Sequence, residues 1–106
     1  MSEELLVSEA RRRREVFENL EKYLRELVDV VKRLDPSSEV YLFGSVAEGR
    51  YLLSSDIDVL VVTDVDPGKI LAELWLAGIG DPFEVHVVSK GTVEVYRRRS
   101  RLVRVG

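Results

Sequence analysis

Residues 44–62 read GSVAEGRYLLSSDIDVLVV. The stretch opens on a glycine–serine break and closes on a nearly continuous apolar run. The run 56–62 (DIDVLVV) has the composition of a strand covered on both faces. Just before Gly44, residues 39–43 (EVYLF) form a second short run of β-branched and aromatic residues, which predicts another strand. Between them, 46–49 has room for one helical turn and 50–55 reads as loop. Two strands joined through a small-residue break thus form the centre of the fold.

Working outward, Phe17, Leu20, Leu24, Leu27, Val31 and Leu34 recur at steps of three and four. That stripe predicts one long amphipathic helix over 8–34, ended at Asp35 by Pro36. On the other side, 64–68 is a turn, with Pro67 suited to the first turn of a helix. Ile70, Leu71, Leu74, Trp75 and Leu76 predict a helix stopping near Gly78 and Gly80, with Trp75 in the core. Residues 82–88 (PFEVHVV) predict a third strand, and the tail from Thr92 a short helix through Arg98 and then an extended RLVRV. The expected fold is α/β (α+β): a small mixed sheet of three or more strands packed against helices. Residues 1–106 are expected to form a single domain.

Composition narrows the chemistry. The chain has 106 residues, 45% of them apolar and 33% charged, as in an ordinary soluble globular domain. Sixteen Lys and Arg against 19 Asp and Glu give a net charge of −3, which argues against direct nucleic-acid binding by the chain as a whole. With no cysteine, thiolate nucleophiles, disulfides and Cys-ligated zinc are excluded. No membrane span and no apolar segment after the start are expected, so the expected location is the cytoplasm.

Three features could carry chemistry. A glycine at the end of a strand lets a ligand approach the backbone, and the adjacent Ser45 adds a hydroxyl and an N–H for a phosphate oxygen. Asp56 and Asp58 lie two apart and so share a sheet face. Paired carboxylates on an apolar strand repel and are costly to desolvate, and a divalent cation removes both objections. Taken alone, D-x-D also reads as the water-facing entrance of a strand. Glu84 falls on one face with His86 and Val88, and Phe83, Val85 and Val87 on the other. Taken alone, it also reads as an edge-strand charge that blocks aggregation. His86 either tunes a site beside Glu84 or is simply packed and hydrogen-bonded. The Arg11–Arg14 run and the later Arg97, Arg98, Arg99, Arg101 and Arg104 read mainly as solvated surface.

Together, Gly44-Ser45, then about ten residues, then Asp56-Ile57-Asp58, then Glu84 on a later strand resemble the nucleotidyltransferases of the polymerase-beta superfamily. Ala47 and Gly49 match the residues that usually follow the Gly-Ser pair. The short chain further resembles the minimal nucleotidyltransferases, many of which are antitoxins of helical HEPN-type toxins. The resemblance implies two Mg²⁺ ions held by Asp56, Asp58 and Glu84, with ATP as substrate and pyrophosphate released. Gly44 and Ser45 would hold the β and γ phosphates. Two positions depart from the family. Glu48 stands where arginine is common, with Arg50 nearby as a replacement, and Glu84 stands where aspartate is usual.

Three functions follow from this resemblance. The first is transfer of AMP from ATP to a hydroxyl of a protein partner, a HEPN-type toxin. The second is neutralisation of such a toxin by contact, with a weak or vestigial nucleotide site. The third is transfer to a small molecule, for which so short a chain would need an acceptor pocket completed by a second copy.

Overall fold

The computed structural model describes residues 2–106. The elements run α1 (Glu3–Glu18), α2 (Leu20–Leu34), β1 (Glu39–Phe43), α3 (Gly44–Ala47), β2 (Ile57–Val62), α4 (Pro67–Leu76), β3 (Phe83–Val88), α5 (Val93–Arg99) and β4 (Val103–Arg104). The strands form one mixed sheet in the order β3-β2-β1-β4. β1 runs antiparallel to both β2 and β4, and β2 parallel to β3. This is the mixed sheet against helices that the sequence predicts.

The expected single helix over 8–34 is instead two. Ser2 accepts a hydrogen bond from the Leu5 N–H at 3.2 Å and starts α1, with Glu3 and Glu4 favourably placed in its first turn. Asn19 leaves helical geometry, with φ −122° and ψ 34°. Its side-chain Nδ2 donates to the Glu15 carbonyl at 3.0 Å, the local side-chain bond by which Asn competes with the helix ladder. The apolar stripe runs through this break without marking it.

The two faces of the sheet are built differently. Val40 and Leu42, then Ile57, Val59 and Val61, then Val85 and Val87 pack against Val16, Leu24, Leu27, Val31, Ile70 and Leu74 of α1, α2 and α4. The opposite face carries Tyr41, Phe43, Leu60 and Val62, covered by Val93 and Tyr96 of α5 and by Leu102. That second cover leaves the side chains of Asp58 in β2 and Glu84 in β3 partly open to solvent.

α4 keeps Pro67 at its first turn and turns Ile70 and Leu74 inward. It ends in a Schellman arrangement. Gly78, at φ +81°, donates to the Trp75 carbonyl at 3.0 Å, and Ile79 donates to the Leu74 carbonyl at 2.9 Å. Ile79 is then buried beside Leu74. Trp75, expected in the core, is 73% exposed. It stands one residue past Leu74, about 100° round the helix from the buried line, and lies over Gly80.

Candidate active site

The site sits on the open end of the second sheet face. Phe43 of β1 is in register with Asp58 of β2, and Asp58 with Glu84 of β3. The next row is Tyr41, Leu60 and His86. Register partners on adjacent strands share a face, so Asp58, Glu84 and His86 all point to the same side. Phe83, Val85 and Val87 pack toward the helical core, as strand alternation predicts.

One donor atom from each of Asp58, Glu84 and His86 lies within 4.8 Å of the other two. His86 Nε2 stands 3.8 Å from Asp58 Oδ1 and 3.7 Å from Glu84 Oε1. The imidazole is held edge-on by aromatic neighbours, with ring centroids 5.2 Å from Phe43 and 6.3 Å from Tyr96. Burial pushes the Asp58 carboxyl above its ordinary value, and the charge of Asp56 adds to this. His86 opposes it.

Gly44 is fitted to Asp58. Its φ is +75°, and a Cβ there would overlap Asp58 Oδ2 and come 3.1 Å from Cγ. Glycine is thus required both by the backbone and by the carboxylate in front of it. Ser45 follows in α3, a single helical turn that starts two residues earlier than the sequence suggests. The Ser45 carbonyl accepts from the Arg50 N–H at 2.9 Å, so the loop after α3 folds back on the glycine–serine break. The Arg50 side chain is exposed and pairs with Glu48 at 3.2 Å. The departure at Glu48 and the arginine expected to compensate for it thus pair with each other at the surface.

Asp56 lies outside the Asp58–Glu84–His86 cluster. It precedes β2, its side chain is 52% exposed, and it faces Arg13 of α1 at 3.6 Å. Arg13 also donates to the carbonyl of Ser55 at 3.0 Å and approaches Asp81 at 3.3 Å. Sequence reasoning missed this residue. Inside a run of four arginines nothing distinguishes Arg13, and its role appears only when α1 lies across the loop before β2. Farther along, Arg97 pairs with Glu94 at 3.1 Å and covers the Tyr41 ring, which accounts for part of the second arginine cluster.

The donor set fits a divalent cation. Two carboxylates and an imidazole converge, one carboxylate is raised by burial without a full countercharge, and the missing Cβ of Gly44 is what makes room for that carboxylate.

Comparison with known proteins agrees with this geometry. The family model described as "Nucleotidyltransferase domain" matches residues 24–104. The chain belongs to that family. It is 35% identical over 86 residues to an inactive non-canonical poly(A) RNA polymerase protein of Drosophila melanogaster, covering 77% of this chain and 21% of that protein. It is 44% identical over 50 residues to a protein named "Putative protein adenylyltransferase" of Methanocaldococcus jannaschii, covering 45% of this chain and 50% of that one. The chain thus spans about a fifth and a half of the lengths of these curated relatives. Among solved structures, a "putative nucleotidyltransferase" superposes with TM-score 0.63 at 30% identity, over 77% of this chain and 96% of the other. A second one, from Sulfolobus solfataricus, gives TM-score 0.60 at 28% identity over 85% and 84%. No helix among the described residues is long and apolar enough to cross a membrane.

Proposed function

We propose that this chain transfers AMP from ATP to a hydroxyl group of a protein partner, with a divalent metal ion. The observation that carries the reading is the register of Asp58 with Glu84, beside a glycine with no room for a side chain. In this reaction the acceptor oxygen attacks the α-phosphorus of ATP, the bond to the bridging oxygen breaks, and pyrophosphate leaves. Glu84 is exposed at the open end of the sheet, where an incoming hydroxyl can reach it, and takes the hydroxyl proton. Asp58 and Glu84 would hold the metal, with Asp56 available once its pairing with Arg13 is released. Gly44 and Ser45 receive the β and γ phosphates. A divalent ion bound here neutralises charge on the phosphates.

The protein acceptor is supported by the likeness to the Methanocaldococcus jannaschii protein, over half of that protein's length. The proposed partner is a helical HEPN-type toxin, this chain being its cytoplasmic antitoxin. The test is radiolabelled ATP with a divalent metal, with and without the product of the adjacent gene. Label on the partner supports transfer. A stable complex without label gives the second reading, neutralisation by contact, which the Asp56–Arg13 pair favours because it withholds one carboxylate.

A further inference from the structure

We propose that His86 is a metal ligand, and that the ion held by the protein is a first-row transition ion in preference to Mg²⁺. This rests on reading Asp58 and Glu84 as metal-binding residues. Mg²⁺ is a hard cation that takes oxygen ligands and keeps several waters. Imidazole suits zinc, copper, iron and nickel, and the preference for nitrogen donors separates these ions from Mg²⁺. Here an imidazole nitrogen stands level with the two carboxylates. Its distances of 3.8 Å to Asp58 Oδ1 and 3.7 Å to Glu84 Oε1 are below twice a metal–ligand bond of about 2.0–2.2 Å. The third separation, between the two carboxylates, is within 4.8 Å, so closing all three donors around one ion asks only for small side-chain rotations.

The placement of the ring is fixed by the fold. His86 lies two residues after Glu84, so strand alternation returns it to the same face. Phe43 packs at 66° to the ring and Tyr96 at 61°, which restrains its rotation. Nε2 is the nitrogen turned toward the carboxylates. A histidine that merely packed in this corner would satisfy the same aromatic contacts with either edge forward. The triphosphate brings its own Mg²⁺, so the proposal concerns only the ion bound by side chains.

The experiment uses Cu²⁺, a paramagnetic ion of the nitrogen-seeking group, as the probe on the untagged full chain. His86 is the only histidine, so any imidazole nitrogen coupled to the ion must be His86. Pulsed electron paramagnetic resonance should show that coupling, and labelling histidine with ¹⁵N should change it. In His86→Gln the nitrogen signal should vanish and Cu²⁺ affinity should fall at least ~10-fold, since even outer ligands are worth that much. Mg²⁺ affinity should change far less. Cu²⁺ that binds without nitrogen coupling, or does not bind, overturns the proposal. The labelled wild-type measurement needs no variant, so a poorly folding His86→Gln leaves it decisive. Nitrogen-coupled Cu²⁺ with no AMP transfer under any metal would sink the transferase reading and leave this one standing. Transfer with an ion that shows no nitrogen coupling would do the reverse.

Discussion

Gly44 and Asp58 occupy one space: the position a Gly44 side chain would take is already filled by the Asp58 carboxylate, whose Cγ lies 3.1 Å away. The glycine that ends β1 and the acid on β2 are thus a single unit. This explains why a Gly-Ser break and an Asp-x-Asp belong together although a loop separates them.

Gly44→Ala should therefore damage both fold and site. The positive φ alone costs about 1–2 kcal/mol for a residue with a Cβ, and the carboxylate must also move. Urea unfolding should show at least that loss, and calorimetry should show weaker Mn²⁺ binding in the fraction that folds. Wild-type metal affinity in Gly44→Ala would mean that Asp58 does not need its present position.

Asp58→Asn should separate binding from stability. Burial raises the Asp58 carboxyl, so its ionised form is a burden on the metal-free fold. The melting temperature of the metal-free variant should equal or exceed that of the wild type, while metal binding is lost. A sharp drop in melting temperature would make Asp58 a structural residue.

Acid stability should depend on Asp35, far from the site. Thr63 Oγ1 donates to Asp35 Oδ2 at 2.6 Å, and this bond, helped by Ser37, holds the Asp35 carboxyl below its ordinary value of 3.8. A lowered carboxyl contributes stability in full above 3.8, and that share is lost as pH falls through the lower folded-state value. Thr63→Val should destabilise by about 1–2 kcal/mol at pH 7. The gap to wild type should narrow below pH 3.8 in chemical denaturation. A gap independent of pH would show that the threonine acts only through packing.

Arg13→Gln should free Asp56 and loosen α1. Loss of the bonds to Ser55 and Asp81 should cost about 1–2 kcal/mol, discounted for exposure of the acids. With the competing guanidinium gone, divalent-metal affinity should rise. An unchanged affinity in a folded Arg13→Gln protein would show that Asp56 takes no part in metal binding. Arg13→Lys should not restore stability, because one ammonium cannot replace the guanidinium fork.

Much of this was legible in the sequence for a physical reason. Strand alternation alone puts Asp58 and Glu84 on definite faces, and the turn residues Gly44, Pro67 and Gly78 mark element ends by backbone geometry. Other features depend on partners that no local pattern reveals. The helix break at Asn19 is made by one side-chain bond to Glu15 inside an unbroken apolar stripe. Trp75 has a core residue's chemistry but falls one position off the buried line of α4. The Arg13 contacts span residues more than 40 apart, and the convergence of His86 on both carboxylates depends on a parallel register between strands separated by a helix.

The most direct test of nucleotidyl transfer by this site is Glu84→Gln beside Glu84→Asp, assayed with radiolabelled ATP, a divalent metal and the partner protein. Glu84→Gln should lose label transfer by ~10²-fold or more while still binding ATP, and Glu84→Asp should retain transfer because it keeps a carboxylate at the same register position. Undiminished label transfer in Glu84→Gln would contradict the account, leaving Glu84 as no more than a charge guarding an edge strand.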